Sequence, residues 1–314
     1  MKKHYIILLL VFCIFNSCYT NRKNIKDENL EINFIYSKHS DLVFHVLAYL
    51  KVNNASDLYD AEYIKKITLE KRDFEYNIIP KINSLQEYYN DNFGHLTMIN
   101  FLPFYCNDFN ELKNTLINYN QFSQDDIKYF INPFIEILEN ESVFYFDYWD
   151  KLHNSNTAFR ESSEKYIKTE LEKFKRIFLY FNKSSKVFLS YSITRNGRGF
   201  YINDYFSAAI PFPKNKNDFQ NVFFMLLHEY THQFTDNLIN NINFDDGSHN
   251  LSENVVILAD YYLIKGTDKS LIPNYIKKFS GNITKSEEEF LNYFKVEKTL
   301  ETEITKLINS ILKI

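Results

Sequence analysis

Apolar residues recur at helical spacing along most of the chain. Asp41 to Leu50 is a nearly continuous apolar stretch of helix length. Ser123-Gln124-Asp125-Asp126 has the form of an N-terminal cap, and Ile127, Phe130, Ile131, Phe134, Ile135 and Leu138 follow it on one helical face. A second amphipathic stripe, from Tyr166 through Leu171, Phe174 and Phe178 to Phe181, predicts a helix over residues 161–181. The texture changes near Ser184. Residues 186–193 are rich in β-formers, Asn196-Gly197-Arg198-Gly199 is a turn signal, and Phe200-Tyr201-Ile202 reads as the returning strand of a hairpin. Ala208-Ala209-Ile210 reads as another short strand, stopped by Pro211 and Pro213. Asn217 or Asp218 then caps a helix to about Leu238, and a second helix is expected from Ser252 to about Ile264, ended by Gly266. Thr284-Lys285-Ser286-Glu287 predicts the start of one long terminal helix to about Leu312.

The expected fold class is α+β and predominantly helical, with a small β-hairpin or sheet just before the helix that begins near Asn217. Four segments are expected: a leader over residues 1–17, a tether over 18–33, a helical region over 34–183, and a second region over 184–314. The leader combines Lys2 and Lys3 with an apolar run from Tyr5 to Phe15, too short to span a bilayer, so it reads as an export signal. Asn16-Ser17-Cys18 closes it and resembles the lipobox of bacterial lipoproteins, although Phe15 and Asn16 depart from the common residues there. That resemblance implies lipidation at Cys18 and attachment to a membrane of the cell envelope; ordinary cleavage nearby is the alternative. The polar residues 19–33 then serve as the tether.

Composition narrows the partners. The formal net charge is -4, and loss of Lys2 and Lys3 with the leader makes the rest more acidic. Nucleic acid is not expected, because phosphate binding requires a basic surface. Of the three cysteines, Cys13 lies in the leader and Cys18 at its end. Cys106 alone remains in the body and is expected to be a small buried residue. Sequons such as those at Asn54 and Asn182 carry no meaning if the source is bacterial.

One motif carries chemistry. In His228-Glu229-Tyr230-Thr231-His232 the histidines are four residues apart, so on a helix both imidazoles reach one ion. With eight histidines in 314 residues, the pattern arises by chance in about one such chain per hundred. Zinc takes two such nitrogens and a third protein donor, leaving one position for water. Glu229 stands where it can accept a proton from that water. Thr235 and Leu238 replace the glycine and histidine of the longer metzincin pattern, which excludes that group. The candidates for the third donor are Glu253, 21 positions beyond His232 on the expected following helix, and Asp245, Asp246 and His249 in the intervening loop.

The run His228-Glu229-Tyr230-Thr231-His232-Gln233-Phe234-Thr235-Asp236 resembles the active helix of gluzincin metallopeptidases of the thermolysin-like clan. The resemblance covers about residues 186–264; the N-terminal half looks instead like poorly characterised bacterial lipoprotein families bearing a His-Glu-Phe/Tyr-x-His motif. It implies a zincin-like catalytic region, a Zn2+ cofactor, a peptide or protein substrate and ligation by Glu253. The clan carries an aspartate four residues after that glutamate; here the position is Ile257. Asp260, a turn further on, is the candidate to orient a ligand histidine, or else caps local structure. His249, Tyr261 and Tyr262 are candidates to stabilise the oxyanion, and Arg195 and Arg198 to meet substrate carboxylates or simply to charge an exposed turn. Either Phe200 to Ile202 or Ala208 to Ile210 can present a sheet edge to an extended peptide. The competing expectation is a non-catalytic envelope lipoprotein with a binding or assembly role on a peptidase-like scaffold.

Overall fold

The computed structural model describes residues 31–52, 59–72, 74, 76–177, 184–202, 205–241, 249–281, 283 and 286–313. The leader, Cys18 and most of the expected tether lie outside them. The main elements, in order, are β1 (Glu31–Ile35), α1 (Lys38–Leu47), α2 (Ala61–Glu70), α3 (Ile78–Asp91), α4 (Phe109–Asn118), α5 (Asn132–Ser155), α6 (Thr157–Lys173), β2 (Ser184–Ser190), β3 (Arg198–Ile202), β4 (Tyr205–Pro211), α7 (Phe219–Asn241), α8 (His249–Thr267), α9 (Ile272–Ser280), α10 (Glu287–Tyr293) and α11 (Lys298–Lys313). The fold is α+β and predominantly helical, as the patterning predicts. Among the described residues no helix is long and apolar enough to cross a membrane.

The four strands form one mixed sheet in the order β1-β2-β4-β3. β1 runs parallel to β2 and β2 parallel to β4, while β3 pairs antiparallel with β4. β1 begins inside the stretch expected as tether, so the N-terminal segment contributes a strand to the sheet that precedes the motif helix. The expected hairpin between residues 186–193 and 200–202 does not form. The chain leaves β2 at Ser190, whose hydroxyl takes the backbone N–H groups of Ser192 and Ile193 and so breaks the ladder there. It crosses to the far edge and returns through β4 instead. Ala208 and Ala209 therefore sit inside the sheet, paired on both sides, and β3 is an edge strand.

Alternation along the strands divides the interior in two. Val187 and Leu189 of β2 and Phe206, Ala208 and Ile210 of β4 face one core, built from α6 to α11. Phe188 and Ala209, with Phe200 and Ile202 of β3, face the other, built from α1 to α5. The inner strands are buried on both faces, which is why they read as apolar runs. In α7, Val222 to Leu227 are all buried, wedged between the sheet and the C-terminal helices. Cys106 is free and buried in the first core.

The cap expected at Ser123 forms. Ser123 accepts the Asp126 N–H, and Asp126 returns the bond to the Ser123 backbone. The chain then makes one wider π-turn, Ile127–Ile131, before α5. Pro133 has no N–H to donate, and a wider turn accommodates that. Two ends differ. α8 continues through Gly266 to Thr267, and that glycine packs against the Leu312 side chain of α11. The terminal stripe is two helices rather than one, with Phe294 to Glu297 between α10 and α11. Ser286 caps α10 through the Glu289 N–H, while Thr284 and Lys285 lie outside the described residues.

One buried acid joins the sheet to the first helical layer. Asp41 of α1 accepts the Trp149 indole N–H at 2.6 Å, the Tyr191 N–H at 3.2 Å and the Ser190 hydroxyl. Burial pushes its carboxyl up from 3.8 to about 6, against the pull of those hydrogen bonds. A raised folded-state pKa means a contribution present below the unfolded value and lost as pH climbs through the folded one. The size is about 3 kcal/mol, from roughly two pH units at 1.36 kcal/mol each. Asp41→Asn removes this titration. Denaturant unfolding should therefore favour the variant, relative to the parent, by up to about 3 kcal/mol more at pH 7.5 than at pH 4. A difference that does not change with pH contradicts it.

Candidate metal centre

α7 carries both histidines, and its apolar lead-in decides where they sit. Leu226 and Leu227 are fully buried, so the following turn enters the interior with His228 and Glu229, each 7% exposed. α8 lies against α7 and brings Glu253 to the same point. The Glu253 carboxylate lies 3.1 Å from His228 Nε2 through one oxygen and 3.6 Å from His232 Nε2 through the other. The ligand atoms of His228, His232 and Glu253 all fall within 4.8 Å of one another. Donors at about 2.05 Å on a tetrahedral ion stand about 3.3 Å apart, so these separations fit a zinc-sized cation with little rearrangement. The two imidazole rings are edge to face, 5.0 Å between centroids. Asp245 and Asp246 lie outside the described residues, as does the His249 side chain.

A carboxylate behind the histidine organises the pair. Asp260 of α8 is fully buried and accepts the hydroxyls of Thr231, from within the motif, and of Tyr275, from α9 at 3.2 Å. One of its oxygens stands 3.3 Å from His228 Nδ1, an oblique approach that places negative charge on the ring's far side. The position Ile257, an aspartate in the thermolysin-like pattern, lies in the apolar core, and the helix delivers Asp260 one turn later instead. Burial alone would lower the His228 pKa, but Asp260 and Glu253 outweigh it and raise it to about 10. A cation held by His228, His232 and Glu253 would meet that demand for positive charge in place of a proton. Phe279 of α9 closes the apolar side of the His228 ring, 5.2 Å between centroids.

Glu229 is held differently. The segment leading into β3 lies directly on its side chain: a Cβ at Gly197 would stand 2.5 Å from Glu229 Oε1. Gly199 is equally close-packed, against the Phe206 ring and the Glu229 carbonyl. Only glycine lets the backbone approach this near. Burial pushes the Glu229 carboxyl above its ordinary range, while His228, His232 and Arg198 pull the other way. Arg198 lies along this segment and donates to the Gly197 carbonyl at 2.6 Å. Arg195, two residues before Gly197, is directed to Asp60 of the other layer, 4.0 Å away.

Two of the three expected oxyanion groups, Tyr261 and Tyr262, are directed to other partners. The Tyr261 hydroxyl bonds Glu287 of α10, and Tyr262 bonds Glu301 of α11 at 2.8 Å. Sequence reasoning overlooked Tyr275 and Phe279 because it left α9 out. The signal was present: Ile272, Tyr275, Ile276 and Phe279 follow helical spacing, with Pro273 suited to the first turn.

No family model, curated protein or solved structure matches the chain. The class of the site is therefore argued from its own donors: two imidazoles and one carboxylate converging on a point, with a second carboxylate alongside. Replacing His232 or Glu253 with Ala should abolish stoichiometric zinc uptake. Asp260→Asn should leave a site that binds roughly 10–100-fold more weakly, measured by competition with a chromogenic chelator. Unchanged affinity in Asp260→Asn contradicts the role given to that carboxylate.

Proposed function

We propose that the chain is a zinc-dependent hydrolase of peptide bonds, a metallopeptidase of gluzincin type. The observation that carries this reading is the convergence of His228, His232 and Glu253 with the buried Glu229 beside them. His228, His232 and Glu253 would hold Zn2+, which when bound supplies a Lewis acid for the scissile carbonyl and makes the attacking water easier to deprotonate.

Glu229 acts as the general base and then passes the proton to the leaving amine. Its burial favours both steps, because a carboxyl raised toward neutrality both accepts and returns a proton readily. Asp260 keeps His228 oriented with Nε2 toward the ion. β3, an edge strand, starts beside Glu229 and offers backbone groups to an extended peptide in the manner of strand addition. Tyr105 donates to the Tyr201 carbonyl at 2.6 Å, which limits the usable edge to the end nearest Glu229. Arg198 places positive charge near the reacting carbonyl or a substrate carboxylate. The leader and Cys18 support export and lipid anchoring at the cell envelope, so the substrates belong to that compartment.

Glu229→Gln should retain one zinc per chain and lose at least about 100-fold in turnover of a peptide library. A variant that keeps its activity rejects the mechanism, and a parent chain that binds zinc but cleaves nothing favours the binding or assembly role. Gly197→Ala should also keep zinc yet lose turnover, since its new Cβ meets Glu229 rather than a ligand.

A further inference from the structure

The seven residues from Tyr191 to Gly197 cross the end of the sheet between β2 and β3. Their last member rests on the Glu229 side chain. Their earlier members are tied to polar side chains of the opposite layer. The Tyr191 N–H donates to Asp41 at 3.2 Å. The Ser192 hydroxyl bonds the Tyr63 hydroxyl at 3.0 Å and also that of Tyr145. Arg195 Nε stands 4.0 Å from Asp60, the residue that caps α2. Behind Tyr63 the chain of bonds continues inward. His45 Nδ1 lies 3.0 Å from the Tyr63 hydroxyl, and its Nε2 lies 2.8 Å from Glu141, which also accepts from Lys71 at 2.6 Å.

His45 and the Glu141 side chain are fully buried. Groups of this kind are costly to bury unless each is satisfied, and an apolar core of equal volume commonly serves stability as well. An apolar core would leave the crossing segment unattached, because that segment is anchored through its polar atoms. Its far end has no slack. Gly197 is pressed against the carboxylate, and a displacement of about 1 Å there is of the size that costs about 100-fold in catalysis.

We propose that the buried chain His45, Tyr63 and Ser192, braced by Glu141, is a positioning device for the proposed reaction. It fixes how Gly197 and Arg198 stand over Glu229 from the opposite side of the sheet. None of these three residues touches the metal ligands or substrate. The functional part of this inference rests on the hydrolase reading; the anchoring part does not.

The test uses the full chain loaded with zinc and two variants, Tyr63→Phe and Ser192→Ala, so that failure of one to fold leaves the other. Ser40→Ala is the control: it removes a buried hydroxyl of the same layer that donates to the Pro103 carbonyl instead. Both test variants should bind one zinc per chain, as the parent does. Amide hydrogen exchange in residues 191–199 should rise about 10-fold or more while α7 stays protected. On a peptide substrate kcat should fall about 10-fold or more with KM within about twofold, because geometry is lost rather than binding. The control should change neither exchange in that segment nor kcat. Unchanged exchange in 191–199 overturns the anchoring, and faster exchange with unchanged kcat overturns the positioning role. If the parent itself hydrolyses no peptide, the hydrolase reading fails, and the exchange result still decides whether the buried chain holds the segment.

Discussion

A single buried carboxylate governs the relation of three helices. Asp260 has no access to water, so its charge and its hydrogen-bonding capacity must be met by neighbours. Thr231 of α7, Tyr275 of α9 and the His228 ring supply them. A helix register shifted by one residue would break all three contacts at once. The same register brings Glu253, two turns earlier on α8, to the open side of His228 and His232. The convergence of donors thus follows from satisfying Asp260, without any special geometry at the metal ligands themselves.

The other half of the site comes from across the sheet. Glu229 leaves the same helix turn but is covered by the segment leading into β3, and the backbone can approach it only because residues 197 and 199 lack side chains. That segment is held by α1, α2 and α5, whose cores lie on the opposite face. The helical N-terminal half therefore reaches Glu229 through this segment, although it carries none of the three converging donors.

Local signals in the sequence were read well, and long-range pairings were not. The β-formers in residues 186–193, the run before His228 and the cap at Ser123 reflect short-range sterics and burial, and each corresponds to an element found. The partner of β2 depends on where a seven-residue crossing goes, which Asn196 and Gly197 do not encode; their turn signal belongs to the approach to Glu229 rather than to a hairpin. β1 was hidden because Glu31 and Asn33 are polar and the strand is short. At the site, helix periodicity made the His228–His232 pair legible, and the resemblance to the gluzincin pattern pointed to Glu253, with Asp260 two turns further along the same face. Tyr261 and Tyr262 lie on the same helix, but their hydroxyls meet α10 and α11, a packing detail that spacing along one helix cannot supply.

The most direct measurement is X-ray absorption at the zinc edge on the purified, zinc-loaded chain. The account predicts only nitrogen and oxygen neighbours at about 2.0–2.1 Å, four in number, with the outer-ring scattering of two imidazoles. It also predicts that Glu253→Ala disrupts this shell. A sulfur neighbour near 2.3 Å, a third imidazole, or a shell unaltered by Glu253→Ala would contradict it.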